Sequence, residues 1–294
     1  MKKVLVIGSS NVDYMIRCKA FPKRGETVVG NSFMQNLGGK GLNQAVAASL
    51  TRADVTFLTA LGNDSGKDFI LNGLKPYNLK VVPIKKRTST GSAMILVEDK
   101  TSENEIVING GANLLLNNKN IDSNIDLIKE CDYILLQLEI DINTIEYIIK
   151  KAKEFNKIVI LNTAPYKKLN DYIITNADYL TPNQVELKAL AGNQFDNLED
   201  NINYLLNKGV KNLIITLGKE GSLFVNKNTR LIIPAYKVKA IDSTGAGDCY
   251  NGFFVGALAI GYDLKNALDI ASKASALSVT KEGTITSYPT MEEI

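Results

Sequence analysis

The sequence contains no histidine and no tryptophan, and it has only three cysteines among 294 residues. The absence of histidine excludes every Ser-His-Asp or Cys-His mechanism and every histidine-ligated metal site. Any proton transfer must therefore use carboxylates, lysine, tyrosine or cysteine. Cys18, Cys131 and Cys249 are far apart and form no CxxC pair, so we expect neither a disulfide framework nor a zinc site, and a reducing cytoplasm is favoured.

Long apolar runs are also missing. No stretch approaches the roughly 18 uninterrupted apolar residues of a membrane span. The apolar run in "MKKVLVIGSS" is shorter than the roughly 7–15 residues of a signal-peptide core, and it predicts a first buried strand. With 34 basic and 31 acidic residues, the charge balance indicates neither nucleic acid nor a membrane as a partner. The 45% apolar content allows a large core, and no linker divides residues 1–294, so we expect one domain.

Short β-branched runs alternate with segments of helical period along most of the chain. The runs at 3–8, 54–62, 131–139, 157–164, 177–183 and 211–218 predict strands. Between two of them, Ile145, Ile148, Ile149, Ala152 and Phe155 share one face of a predicted helix. This alternation predicts a three-layer α/β/α sandwich around a mostly parallel sheet, with ligands at the carboxyl ends of the strands.

Two segments, about 12–36 and 89–109, depart from this rhythm because they alternate apolar and polar residues without a helix. They predict a small second sheet that stands off the main one. Such a sheet over the strand ends would act as a lid. Because no helix of its own would cover its outer apolar face, we expect the lid to mediate a homodimer.

The stretch "DSTGAGD", residues 242–248, leads into a predicted apolar helix. Gly245, Ala246 and Gly247 would lie at the amino terminus of that helix, where free N–H groups and the helix dipole attract anions. The alternative is that Asp248 simply favours the first helical turn. The loop by itself does not decide between these explanations.

A second glycine-rich stretch, "NLGGKGLNQAVAASL" at 36–50, places Lys40, Asn43 and Gln44 beside its glycines. Upstream, Asn11 and Asp13 are alternate residues of an extended segment and share one face. Amides and carboxylates that converge on a cleft suit a polyol, whose hydroxyls both donate and accept. Each residue alone also has an ordinary explanation, because Asn and Asp cap turns and Lys is usually solvated.

Two familiar nucleotide-binding motifs are absent. No GxGxxG follows the first strand, and "GNDSGKD" at 62–68 lacks the spacing of a P-loop. In contrast, six motifs occur in an order that resembles the phosphofructokinase-B-type carbohydrate kinases: "GSSNVD", "NLGGKGLNQAVAA", "LNTAP", "TPNQVE", "ITLGKEGS" and "DSTGAGDCYNGFF". The tail "SVTKEGTITSYP" also matches, so the resemblance covers nearly the whole chain.

Within that family, "NVD" together with "GGKGLNQ" points to the ATP-dependent phosphorylation of D-ribose to D-ribose 5-phosphate. Another pentose, 2-deoxyribose, fructose or a nucleoside are alternative substrates. A sugar-binding regulator that has lost turnover is an alternative from a different class, which the intact Asp248 disfavours.

The resemblance implies a role for each matching residue. Asp248 would be the general base, and the amides of Gly245, Ala246 and Gly247 would form the anion hole. Sugar contacts are implied for Asn11, Asp13, Gly39, Lys40, Asn43, Glu139 and Asp248. ATP contacts are implied for Asn183, Glu186, Thr216, Gly218, Gly221 and Gly247, with Mg²⁺ held by Glu186 through water. A monovalent cation, K⁺, would bind Asp242, Thr244, Ser278, Lys281, Gly283 and Ser287, several of them through backbone carbonyls.

Some points stay open or depart from the family pattern. Thr181, Pro182 and Gln184 suit an N-cap, a first helical residue and a capping-box partner, which would make Asn183 and Glu186 ordinary first-turn residues. The stretch "GNDSGKDF" is one residue shorter than the family's G-x-D-x-x-G, so we expect a different bend after Gly62. Ser272 stands where the family often has His or Asn beside adenine.

Overall fold

The protein is described by a computed structural model that covers residues 2–101 and 103–294. In chain order the strands are β1 (Lys3–Ile7), β2 (Asn11–Cys18), β3 (Gly30–Gly38), β4 (Asp54–Leu61), β5 (Lys80–Lys85), β6 (Gly91–Glu98), β7 (Asn104–Asn109), β8 (Tyr133–Leu136), β9 (Ile158–Leu161), β10 (Tyr179–Leu180), β11 (Leu213–Thr216), β12 (Ser222–Val225) and β13 (Arg230–Ile233).

The helices are α1 (Lys40–Leu50), α2 (Ser65–Leu74), α3 (Asn118–Asp122), α4 (Ile125–Glu130), α5 (Ile142–Glu154), α6 (Asp171–Asn176), α7 (Gln184–Leu190), α8 (Leu198–Lys208), α9 (Ala246–Ile260) and α10 (Leu264–Ser278). Short 3₁₀ helices cover Gly111–Leu115, Gly218–Glu220 and Ile285–Ser287. None of the helices in the described ranges combines the length and the apolar character needed to cross a bilayer.

Nine strands form the main sheet in the order β13-β12-β11-β10-β9-β8-β1-β4-β5. Neighbouring strands are parallel except at the β11–β12 and β12–β13 pairs. The central strand β1 pairs with β4 and with β8, both in parallel. Because helices cover both faces of this sheet, its inner strands are buried on both sides and are almost entirely apolar in sequence. The predicted α/β/α sandwich and its six predicted strands are confirmed.

The core lies in two layers, one on each face of the sheet. Val4 and Val6 of β1 point to the layer formed with α1, α9 and α10. Leu5 points the opposite way, to the layer formed with α5 and α8. On α5 the predicted apolar face is buried, except that Phe155 at its end is only half-buried.

Three strands of the main sheet, β5, β12 and β13, lie outside the predicted runs. Strand β5 is a half-buried edge strand that contains Pro83, which has no backbone N–H to donate. Strands β12 and β13 form a hairpin whose turn is closed by the Asn226 side chain, which accepts from the N–H groups of Asn228 and Thr229. The edge strands β5 and β13 carry a weaker apolar signal than central strands because only part of their surface is buried. Strand β12 lies inside the sheet and is fully buried, but it has only four residues.

A second sheet of four strands, in the order β3-β2-β6-β7, forms the predicted lid sheet. Strands β2 and β6 are parallel, while β3 and β7 pair antiparallel at the two edges. Ser102, in the polar turn between β6 and β7, lies outside the described residues. Strand β3 ends at Gly38 and α1 begins at Lys40, so the lid leads directly into a helix of the core.

Candidate active site

Helices α1 and α9 cross at close range because α9 carries glycine at two contact positions. A side chain at Gly252 would collide with Ala47 and with the backbone of Gln44, and one at Gly256 would collide with Thr51. The close crossing brings the second turn of α1 against the first turn of α9. It therefore places the polar residues of "GGKGLNQ" beside Asp248.

Two adjacent side-chain amides of α1 hold the carboxylate of Asp248. Asn43 Nδ2 donates to Asp248 Oδ2 at 3.1 Å, and Gln44 Nε2 donates to Asp248 Oδ1 at 2.8 Å. Asp248 is only 5% exposed, yet it lines a cavity. Asn43 Oδ1 is buried without a hydrogen-bond partner among the described residues, so it is available to accept from a ligand hydroxyl.

Helix α9 begins at a glycine whose backbone is in the left-handed region. Gly245 is its N-cap, with φ of +76°, and its carbonyl accepts from Cys249 N at 2.8 Å and from the Tyr288 hydroxyl at 3.0 Å. The Ala246 N–H donates to Ser243 O at 3.3 Å. In the first turn of α9, the N–H groups of Gly247 and Asp248 have no partner within the described chain, as expected for a helix start.

A cavity of about 250 Å³ opens in front of this helix terminus. It joins the predicted base and anion hole to Lys40 and to three predicted nucleotide residues, Asn183, Glu186 and Thr216. Five further lining residues were not among the predicted site residues: Asn162, Ala164, Thr181, Ser243 and Asn251. All five lie in the motifs that resemble the carbohydrate kinases: Asn162 and Ala164 in "LNTAP", Thr181 in "TPNQVE", and Ser243 and Asn251 in "DSTGAGDCYNGFF".

The predicted sugar residues cluster beside the cavity, at the junction of the lid and the main sheet. Glu139 Oε2 accepts from the Lys40 N–H at 2.9 Å and from the Ser9 hydroxyl at 2.5 Å. Burial, and then the nearby charge of Glu139, raises the pKa of Asp13 to about 7. Asn11 is buried where Gly39 passes close to its backbone.

Lys40 is a positively charged side chain that lines the cavity. The negative charge of Asp248 raises the pKa of Lys40 against the opposing effect of burial, and Glu139 and Glu186 add to the rise. Lys40 therefore stays cationic among three carboxylates. A cation at this place suits a ligand that brings negative charge, such as a transferred phosphoryl group.

On the nucleotide side, Asn183 and Glu186 hold each other in a capping box. Asn183 Oδ1 accepts from Glu186 N at 2.8 Å, and Glu186 Oε2 accepts from Asn183 N at 3.1 Å. The alternative in which Thr181 is the N-cap is wrong, because Thr181 and Pro182 still hydrogen-bond to the neighbouring strands β9 and β11. These bonds keep the backbone strand-like through Pro182, so the N-cap is Asn183, two residues later. The predicted Gly218 is the first residue of the 3₁₀ helix after β11, and Gly221 follows its last residue; neither lines the cavity.

The predicted cation residues meet where two loops touch behind the anion hole. Asp242 Oδ1 accepts from Thr244 N at 2.9 Å and its Oδ2 accepts from Gly283 N at 3.0 Å, so Asp242 joins the loops. The Ser278 and Ser287 hydroxyls donate to the carbonyls of Ser275 and Thr284, both at 2.8 Å. Lys281 is exposed, and its amine lies 3.6 Å from the Glu293 carboxylate, with which it forms an ion pair.

The shortened loop after Gly62 anchors the base of the lid. Asp64 caps α2 and accepts from the N–H and the hydroxyl of Thr90 at 2.7 Å and 2.6 Å. Burial opposes ionisation of Asp64, but the hydrogen bonds from Thr90 outweigh it and lower the pKa of Asp64. Thr90 immediately precedes β6, and sequence reasoning had not singled it out. Ser272 is buried, and its hydroxyl has only a long contact of 3.5 Å with Pro234 O.

Comparison with known proteins gives consistent results. The profile of the family described as pfkB family carbohydrate kinase matches residues 1–291. A ribokinase from Staphylococcus aureus (strain COL) is 38% identical over 299 residues, which cover 99% of this chain and 98% of that protein. A deoxyribokinase from Salmonella typhi is 35% identical over 296 residues, covering 99% of this chain and 96% of the other.

Among solved structures, the fold is similar to that of an Arabidopsis thaliana ribokinase complexed with ribose and ATP. The TM-score is 0.90 at 26% sequence identity, and the match covers 99% of this chain and 96% of that chain. The fold and the motif resemblance of the sequence therefore agree over essentially the full length.

Proposed function

This chain belongs to the pfkB family of carbohydrate kinases, and we propose that it transfers a phosphoryl group from ATP to D-ribose, forming D-ribose 5-phosphate. The observation that carries the proposal is the cavity in front of α9, where a buried carboxylate, a free helix amino terminus and the Asn183–Glu186 pair meet. A ribokinase of the same fold binds ribose and ATP, and another is 38% identical to this chain.

Asp248 acts as the general base in this proposal. Phosphoryl transfer depends mostly on positioning and on neutralising charge, and the acceptor hydroxyl loses its proton late. A carboxylate is therefore sufficient, which suits a chain without histidine. The hydrogen bonds donated by the Asn43 and Gln44 amides fix the carboxylate in orientation.

The anion hole is the amino terminus of α9, with Gly245, Ala246 and Gly247 as its turn. Backbone N–H groups and the helix dipole stabilise negative charge that develops on the transferring group. The Gly247 N–H group has no hydrogen-bond partner in the described chain, so it can donate to a phosphoryl oxygen. The Ala246 amide has a long internal bond of 3.3 Å to Ser243, which a phosphoryl oxygen can replace.

The sugar occupies the cluster of Asn11, Asp13, Gly39, Lys40, Asn43 and Glu139. Buried acceptors at Asn43 Oδ1 and on the carboxylates support a ligand that carries several hydroxyl donors. ATP lies towards Asn183, Glu186 and Thr216, with Gly218 and Gly221 shaping the loop beyond them. Its position leaves the γ-phosphoryl group between Lys40 and the start of α9.

Mg²⁺ would be held by Glu186 through water, and it would neutralise phosphate charge when bound. The donor set fits: Mg²⁺ prefers one or two carboxylates, several waters and substrate phosphates over a cage made only of protein groups. Glu186 lines the cavity, and no cluster of three or more acidic or cysteine side chains suited to a metal occurs within 2–101 or 103–294.

K⁺ would bind at the loops joined by Asp242, using Thr244, Ser278, Lys281, Gly283 and Ser287 as well. A large, weakly hydrated cation suits carboxylate, hydroxyl and carbonyl oxygens, and the Lys281 amine is paired with Glu293. When bound, the ion would order the loop that presents Gly245 to Gly247.

The lid sheet mediates a homodimer in this proposal. Residues on the sheet face opposite Asp13 leave a contiguous apolar surface exposed, with Val107 72%, Phe33 60% and Met94 53% exposed. An uncovered apolar sheet face is stabilised by a second copy of itself. A cytoplasmic location suits the three free, buried cysteines.

A second candidate substrate is 2-deoxyribose, because the chain is also 35% identical to a deoxyribokinase. The test is ATP turnover with ribose, 2-deoxyribose, fructose and adenosine at equal concentrations, followed by ³¹P and ¹³C NMR of the product. We expect the highest kcat/KM for ribose and a phosphate on its 5-oxygen. Preference for any other sugar would replace ribose as the substrate, and no turnover with any of them would refute the kinase activity.

A further inference from the structure

Gln44 has no role in the motif comparison, yet it occupies the centre of a buried network beneath the cavity. Its side chain is fully buried and makes three hydrogen bonds, all of them to other side chains. Gln44 Nε2 donates to Asp248 Oδ1 at 2.8 Å and to Asn162 Oδ1 at 3.1 Å, while Gln44 Oε1 accepts from Gln137 Nε2 at 2.8 Å.

The neighbours of Gln44 leave its amide only one orientation. Gln137 donates to its oxygen from one side. On the other side, Asn162 must present an oxygen, because Asn162 Nδ2 already donates to Thr181 O at 3.0 Å. The NH₂ group of Gln44 is therefore the end that faces Asp248.

The network also closes into a ring that begins and ends on the first turn of α9. Thr181 Oγ1 donates to Asn251 Oδ1 at 2.6 Å, and Asn251 Nδ2 donates to Gly247 O at 2.8 Å. Asp248 follows Gly247 directly. The base and the anion hole thus share one rigid set of side-chain hydrogen bonds, which passes through Gln44 and Asn162.

We propose that Gln44 is a positioning residue for the catalytic base: its N–H group fixes the orientation of the Asp248 carboxylate and directs the remaining lone pairs of that carboxylate at the acceptor hydroxyl. A buried hydrogen-bond network holds its members without reorganisation during the reaction. Gln137 acts indirectly: its hydrogen bond to Gln44 Oε1 keeps the NH₂ group of Gln44 directed at Asp248. This inference rests on the proposed kinase function.

The first test compares Gln44→Met with the wild type and with Gln194→Met, a matched change at an exposed glutamine. Methionine keeps the size of glutamine but donates no hydrogen bond. We expect kcat to fall at least about tenfold with little change in the KM for sugar, because one fixed donor beside the reacting centre is lost. The loss should appear in kcat per folded molecule rather than in KM, which a loss of stability alone would not produce.

Gln137→Met separates positioning from packing, because it leaves both contacts of Asp248 in place. It should lower kcat in the same way but by a smaller factor. Gln44→Glu should lower kcat further than Gln44→Met, since a second carboxyl would face Asp248. Equal kcat values for wild type, Gln44→Met and Gln137→Met would overturn the proposal, even if the variants were less stable.

A substrate-free measurement keeps this inference separate from the proposed function. The ¹³C signal of the Asp248 carboxyl, identified by its loss in Asp248→Asn, can be compared at one neutral pH in the wild type and in both methionine variants. A changed chemical shift in the variants supports the role of Gln44, and an identical shift contradicts it. A wild type that phosphorylates no sugar would refute only the kinase activity.

Discussion

Asp13→Asn should make the protein more stable at neutral pH while weakening its hold on the sugar. Burial and the Glu139 charge raise the pKa of Asp13 from 3.8 to about 7. The folded state therefore binds this proton more tightly than the unfolded state between these two values. Stability from this group is present at low pH and is lost as pH rises through that window.

The magnitude follows from the size of the shift. One pKa unit corresponds to about 1.4 kcal/mol, so a rise from 3.8 to about 7 destabilises the folded protein by about 4 kcal/mol once Asp13 is ionised. Asparagine keeps the shape and cannot ionise. The variant should thus gain about 4 kcal/mol over the wild type between pH 4 and pH 8, in the absence of sugar.

The assay is urea unfolding at several pH values between 4 and 8, without ligand, for the wild type, Asp13→Asn and the control Asp54→Asn. Asp54 lies at the exposed start of β4. We expect the control to follow the wild type and Asp13→Asn to diverge from it with rising pH. Sugar KM should rise in Asp13→Asn because an anionic acceptor is lost. Parallel stability curves for all three proteins would refute the reasoning.

Asp248→Asn should reduce the rate of phosphoryl transfer by about a thousandfold or more, while the thermal midpoint and sugar binding stay near those of the wild type. A rate within a few-fold of the wild type would show that another group is the base. Replacing K⁺ by Na⁺ or tetramethylammonium at constant ionic strength should lower the initial rate, and equal rates in all three salts would contradict a cation site at Asp242. Light scattering of the wild type should give a dimer mass, and Val107→Lys, which puts charge on the exposed lid face, should give a monomer; a monomeric wild type would remove the basis for the lid interface.

The sequence predicted the fold class well because local patterns reflect local burial. Central strands such as β1 and β8 are buried on both faces, so they are continuously apolar and were predicted near their observed bounds. Strands β5 and β13 were missed because half-buried edge strands have mixed composition. Strand β12 lies inside the sheet and is fully buried, but it is only four residues long. The Thr181 N-cap was wrong because β10 is followed by further strand-like backbone, which the capping pattern did not reveal.

The candidate site was predicted less completely. Asp248, Lys40, Asn183, Glu186 and Thr216 line one cavity, as a shared site requires. The roles of these residues remain predictions. Asn162, Thr181 and Asn251 were not identified, although they line the same cavity. Asparagine and threonine have ordinary local uses in turns and caps, so their types alone did not mark them.

The sequence by itself determined the chemical limits of this protein and its local structure. A chain without histidine must use a carboxylate or another side chain for proton transfer, and a glycine turn before an apolar helix offers free N–H groups to an anion. Only the tertiary structure decided which side chains hold that carboxylate. Gln44 and Asp248 are 204 residues apart and meet because α1 and α9 cross at Gly252. Hydrophobic periodicity specifies which face of each helix is buried, but the partner of that face is set by close packing of the whole core.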